Sequence, residues 1–205
     1  MDKLVFLFPR KQGLTREEFF AHYLDVHAPL GLEVTQTMVH YTVNLCDRDG
    51  GADDGVDAIT ETWTDSVADF MNPDKSFATP DDAQRLMTDH DSFIGAPYDA
   101  YSVAEAVRKG APLQSPQDGA TPGTKVVVAV SDDATLARLA PLADRDDVSR
   151  FVENRVTAPL MTGAFTAVHA FVEVHGQPGD DLIAEIEALV TADDAVHPVS
   201  EYVKK

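Results

Sequence analysis

The order strand, helix, strand, strand, helix, strand occurs twice in this chain of 205 residues, and no single motif limits its architecture as much. In the first pass, residues 3–8 are an apolar run bounded by the turn signals of Pro9 to Gly13, which reads as a buried strand. A helix follows, then alternating stretches at 38–46 and 56–64 rich in Val, Thr and Tyr, which read as a second and a third strand. A short helix over 66–71 precedes a longer one that starts at Thr79-Pro80-Asp81-Asp82: a cap, a proline at the first position and carboxylates in the first turn. Residues 98–107 alternate again and give the fourth strand.

Residues 110–123, GAPLQSPQDGATPG, carry three prolines and three glycines without periodicity and read as a linker. Beyond it the pattern restarts: strand 125–130, helix 134–143, strands 148–156 and 165–175, helix 181–190, strand 196–203. The passes also echo each other in residues. His40-Tyr41-Thr42-Val43-Asn44 lines up with Arg150-Phe151-Val152-Glu153-Asn154, and residues 103–109 line up with 199–205. This is an internal duplication of the split βαββαβ, or ferredoxin-like, unit. The expected fold is α+β, with domains at 1–109 and 124–205 joined by the linker 110–123. A sheet with helices on one face leaves its other face bare. The two halves are therefore expected to pair as an intramolecular pseudo-dimeric α/β barrel, with Val5, Leu7, Val39 and Val43 facing Val126, Val128, Phe151 and Val172.

The first long helix holds the most chemistry. Thr15 and Glu18 form a capping box, and Phe19, Phe20, Tyr23 and His27 recur at helical spacing as one buried stripe. Pro29 is expected to stop the helix, because the residue before a proline is pushed away from helical geometry. His27 would then sit in the last turn, between a carbonyl-rich end that favours the imidazolium and burial that favours neutral imidazole. Such a group handles protons near neutral pH, although a core histidine bonded to a carbonyl fits the same spacing. The second long helix closes its stripe Ala83, Leu86, Met87 with His90. With the first and third strands side by side and parallel, both helix C-termini reach one end of the sheet, so His27 and His90 converge on one cleft.

Other candidates carry two readings each. Glu61 shares a strand face with Trp63 and is either a pocket carboxylate or a salt-bridged edge residue. Tyr41 and Trp63 could stack on a ligand, and Tyr23 could donate to a developing oxyanion. His40 is expected to face solvent, and so is Asp89, because adjacent helical side chains diverge and Asp89 should not reach His90. His22 and His27 lack the i, i+4 spacing of a helical metal pair, His169 and His175 lie too far apart along one strand, and residues 48–55 lack the ligand spacing of a calcium loop. The expected metal count is none. No nucleotide fingerprint or nucleophile elbow is present.

The net charge is −19, with 25 Asp and 10 Glu against 7 Lys. Such a surface repels phosphate backbones and anionic membranes, so neither nucleic acid nor membrane is an expected partner; adaptation to salt is one source of the acidity. The single Cys46 and the shortness of the apolar run at 4–8 fit a soluble cytoplasmic protein.

Several blocks resemble the EthD family of the dimeric α/β-barrel superfamily: FLFPRK at 6–11, GLT at 13–15, Glu18-Phe19, Tyr23, VHAPL at 26–30, DAITETW at 57–63 and DHDSF at 89–93. They occur in the family's order across residues 3–108, whereas the second half keeps only the strand and helix order. The resemblance implies a cofactor-free small-molecule enzyme of lyase or isomerase type, acting on a hydrophobic carbonyl or phenolic compound. His27 and His90 would be general base and general acid, with Tyr23, Tyr41, Trp63 and Glu61 on the substrate. The alternative is a non-catalytic carrier using the same pocket, and a weaker one is haem held by one histidine. The second half would have lost the site and serve as barrel partner, with homodimerisation optional.

Overall fold

A computed structural model of the chain describes residues 1–47, 55–111, 113–163, 168–177 and 180–205. Most of the glycine- and aspartate-rich stretch at 48–55 and the expected start of the 165–175 strand lie outside the described residues. The first half contains β1 (Asp2–Phe8), α1 (Arg16–His22), a π-helical turn (Tyr23–His27), α2 (Ala28–Val34), β2 (Met38–Cys46), β3 (Ala58–Thr64), two short helices α3 (Val67–Phe70) and α4 (Pro73–Ser76), α5 (Pro80–Phe93) and β4 (Asp99–Lys109). The second contains β5 (Thr124–Val130), α6 (Asp133–Leu139) with a 3₁₀ extension (Ala140–Asp144), β6 (Val148–Met161), β7 (Ala170–Gly176), α7 (Asp180–Leu189) and β8 (Ala195–Val203).

Among the described residues, eight strands close into an antiparallel barrel in the order β1-β3-β2-β8-β5-β7-β6-β4. Each half contributes one order, β4-β1-β3-β2 and β8-β5-β7-β6, and the ring closes where β2 meets β8 and β4 meets β6. The register repeats as well. Lys3 pairs with Trp63 as Lys125 pairs with His175, and His40 pairs with Trp63 as Arg150 pairs with His175. Glu105 lies opposite Asn154, and Glu201 lies opposite Asn44.

Three expectations need correction. β1 and β3 pair antiparallel, so the long helices that follow them run in opposite directions and their C-termini do not share one end. Pro29 does not stop the first helix: Ala28 stays helical (φ −64°, ψ −44°), its N–H reaches back to Tyr23 O, and the helix runs on to Val34. The widened π turn accommodates the proline. The third correction concerns faces. Val126, Val128, Phe151 and Val172 point to the second-half helices, Val43 points to the first-half helices, and Val39 is exposed. The barrel interior is instead made by Val5, Leu7, Ile59, Tyr101, Val103, Val127, Ala129, Phe171 and Val199. Strands buried on both faces show no alternation that would say which residues face which way.

One end of that interior is ionic. Lys3 Nζ lies 2.7 Å from Glu61, 2.6 Å from Glu173 and 3.0 Å from Glu105. Lys125 Nζ lies 2.6 Å from Glu61, 3.1 Å from Glu173 and 2.7 Å from Glu201. Asn44 donates to Glu61 at 2.8 Å and Asn154 to Glu173 at 2.7 Å. Burial pulls both ammonium pKa values down, but the surrounding carboxylates outweigh it and hold them above the ordinary lysine value. Outside the barrel, Phe19 and Tyr23 are fully buried between helix and sheet, each worth about 1.5–3 kcal/mol.

Candidate active site

The first helix and α5 lie over the outer face of β1–β3, and between them is a cavity of about 240 Å³. Its walls are mostly apolar, with Phe6, Phe8, Met38, Phe70, Leu86, Met87 and Tyr98 among them. The polar groups on it are His27, His90, Tyr23, Tyr41, Thr35, Thr60, Thr62 and Ser76. The structure therefore brings His27, His90, Tyr23 and Tyr41 together. It does not bring Glu61 or Trp63 to them. Both lie inside the barrel, where Glu61 binds the two lysines and Trp63 stacks under Lys3 Nζ, 4.4 Å from the ring centroid. His40 is also inside, buried, its ring 4.8 Å from Trp63, and not solvated as its position on β2 implied.

His27 and His90 meet with ring centroids 5.8 Å apart. They do so because His27 lies in the middle of its helix, where it passes the last turns of the oppositely directed α5. The His27 Nδ1–H donates to Asp89 Oδ2 at 2.8 Å, and His22 Nε2–H donates to Asp89 Oδ1 at 2.7 Å. Asp89 is thus an orienting carboxylate, not a solvated one. It acts on His27 across the helix pair and not on its neighbour His90. Histidines five residues apart diverge on an α-helix, but a π turn brings positions i and i+5 onto one face, so both reach Asp89. The signal in sequence was there: Asp89 sits three residues after Leu86 and four before Phe93, both of which face inward.

With Nδ1 protonated toward Asp89, His27 keeps a lone pair on Nε2. Burial lowers the His27 pKa below the ordinary value, and the Asp89 carboxylate partly restores it. Burial, then the neighbouring His27, push His90 down to about 4, so it is neutral imidazole at pH 7. Its ring packs against Phe8 at 5.4 Å and Tyr98 at 5.1 Å. Tyr23 and Thr60 share a 2.5 Å hydroxyl contact, and Tyr41 OH donates to Tyr23 OH at 3.5 Å. Burial raises the Tyr23 pKa to about 12 and Tyr41 well above the ordinary phenol value, so both stay protonated. Thr35 is buried on the cavity wall, and its Oγ1 has no hydrogen-bond partner among the described residues. The arrangement combines an oriented base, neutral donors and an apolar chamber. In the second half the equivalent layer is filled by Leu136, Leu139, Leu142, Leu182 and Ile186.

Residues 11–97 match the EthD domain model. No curated protein sequence matches the chain. Among solved structures, the chain is similar to an anthrone oxidase-like protein, with a TM-score of 0.59, 10% identity, and coverage of 98% of this chain and 92% of that one. A candidate monooxygenase of Fusobacterium nucleatum gives a TM-score of 0.56 at 9% identity, covering 100% and 92%. The siroheme decarboxylase NirDL gives 0.51 at 11% identity, covering 99% and 72%. Identities this low show a shared fold and no more.

Proposed function

Because the chain carries an EthD domain over residues 11–97, we propose that it is a cofactor-independent enzyme whose first half performs proton-transfer chemistry on a hydrophobic carbonyl or phenolic compound. The observation that carries this reading is the Asp89–His27 pair facing an apolar cavity. His27 Nε2 takes a proton from carbon or oxygen, and Asp89 stabilises the imidazolium that results. The negative charge moves to the substrate oxygen, which accepts from the Tyr41 and Tyr23 hydroxyls in a chamber where such hydrogen bonds are strong. His90 is too weakly basic to be protonated at pH 7, so it serves as a neutral N–H donor to the shifting or leaving oxygen and not as an imidazolium acid. Thr35 supplies a polar contact that orients the ligand. Returning the proton at another atom gives isomerisation; loss of a leaving group gives elimination; loss of carbon dioxide gives decarboxylation. The lyase or isomerase class follows from these outcomes.

We read the barrel as two tandem ferredoxin-like units, 1–109 and 124–205, paired as an intramolecular pseudo-dimer. The repeated strand order and the repeated register support it. The second half then completes the barrel while its own helix-to-sheet layer is packed shut. A screen of aromatic and polyketide-like carbonyl compounds should yield one that the wild type converts. On it, His27→Ala and Asp89→Asn should each lower kcat/KM by on the order of 10²–10⁴-fold with the melting transition retained. The wild-type rate should be level at neutral pH and fall on acidification as His27 protonates. Wild-type rates in His27→Ala, or a compound bound tightly and never converted, would overturn the catalytic reading, the latter in favour of a carrier.

A further inference from the structure

The two halves of the barrel differ at one pair of equivalent positions in a way that leaves a hole. In the first half, Trp63 lies beside Lys3, and its indole N–H donates to Glu105 Oε2 at 3.3 Å. Only about 10 Å³ is open next to Trp63 and His40. The second half has Lys125 for Lys3, Glu201 for Glu105 and Arg150 for His40, but His175 stands where the indole would be. An imidazole is smaller, and a cavity of about 210 Å³ opens there, walled by Lys125, Arg150, His175 and Glu201 and roofed by Gln114 and Thr121 of the linker. Glu201 is 3% exposed, and its Oε2 has no hydrogen-bond partner among the described residues. His175 Nδ1 stands 4.0 Å from it, beyond hydrogen-bond range.

A buried carboxylate oxygen without a donor is costly, and the first half removes that cost with a flat ring carrying an N–H. We propose that the cavity at the ionic end of the barrel is a second small-molecule site, which takes a flat N–H donor, preferably cationic, against Glu201 where Trp63 meets Glu105 in the other half. The preference for a cation follows from the charges present. Lys3, Lys125 and Arg150 face Glu61, Glu105, Glu173 and Glu201, three positive groups against four carboxylates, while burial keeps His175 neutral by lowering its pKa. The linker gives the site a roof that is held in place: Thr121 N–H donates to Glu201 O at 2.7 Å, and Arg150 Nε–H to Ala111 O at 3.0 Å. The site is on the far side of the sheet from His27 and does not depend on what happens there.

Benzamidine is a suitable probe, being a flat ring with a cationic N–H fork, and benzoate is its counterpart of opposite charge. Titrating the full-length ¹⁵N-labelled protein with benzamidine should shift the amides of Thr121, Lys125, His175 and Glu201 and leave those of His27 and His90 in place. Benzoate should shift none of them. Glu201→Gln should weaken the benzamidine response at least about tenfold. His175→Trp should abolish it and raise the melting temperature, because the new indole fills the hole and bonds Glu201. Absence of shifts at the barrel mouth in the wild type, an equal response to benzoate, or an unchanged response in Glu201→Gln would each overturn the proposal. If His175→Trp fails to fold, the wild-type map and Glu201→Gln decide between these outcomes.

Discussion

Asp89 stands next to His90 in sequence yet bonds to His27, because side chains one residue apart on a helix diverge and those on facing helices converge. The sequence exposes both histidines and both tyrosines of the cavity through helical spacing and strand order. Asp89 is marked by its helical spacing from Leu86 and Phe93, whereas His22 is hidden by a π turn that spacing rules do not anticipate and Thr35 is a loop hydroxyl with no pattern at all. Glu61, Trp63 and His40 were misplaced because β2 and β3 are buried on both faces, where alternation is mute. His90 also gives a test that needs no substrate. Between its unfolded pKa of 6.5 and its folded value of about 4, the unfolded chain holds more protons, so stability falls as pH is lowered through that window. The full span corresponds to about 3 kcal/mol, and His90→Asn should remove that share of the acid sensitivity. Urea midpoints at about pH 7 and about pH 4 would show it; an identical pH slope in the variant would refute the depressed value.

At the scale of elements, the π turn at Tyr23–His27 decides the geometry of the site. It sets His22 and His27 on one face and carries the helix past Pro29, a residue that by its own preferences ends helices. The start of that helix was plain in the sequence from Thr15 and Glu18, which form the capping box observed. Its end was not, since one inserted residue per turn leaves no mark in a hydrophobic pattern. Deleting the exposed Asp25 would leave the two histidines four apart on an α-helix and so still on one face, whereas inserting an alanine beside it should rotate the two parts of the helix by about 100° relative to each other. Far-ultraviolet dichroism should be nearly unchanged, while His27 leaves Asp89 and turnover drops as far as in His27→Ala. Retained activity in this insertion would mean that the turn does not position the base.

For the whole molecule, the strand order was legible because each half repeats it, whereas the contents of the barrel were not. The reading of an apolar sheet-on-sheet core fails at one end of the interior, which is a shared ion network. Lys3 binds Glu173 across the halves and Lys125 binds Glu61 across them, so each half completes the pairing of the other's buried charges. Residues 1–109 expressed alone would lack Lys125 beside Glu61 and would expose the free edges of β2 and β4. That fragment should aggregate or form a homodimer, as read by sedimentation. A well-behaved monomer with native-like melting would contradict the mutual dependence of the halves.

Because one gene encodes both halves of the ring, each of its positions can mutate once. In a barrel made from two identical chains, exchanging the indole for an imidazole would do so at both ends of the symmetry axis and open two holes together. Here Trp63 and His175 have parted company while their lysine and glutamate neighbours have stayed the same. Covalent linkage of the two halves thus lets equivalent positions differ, and asymmetry becomes heritable at single sites.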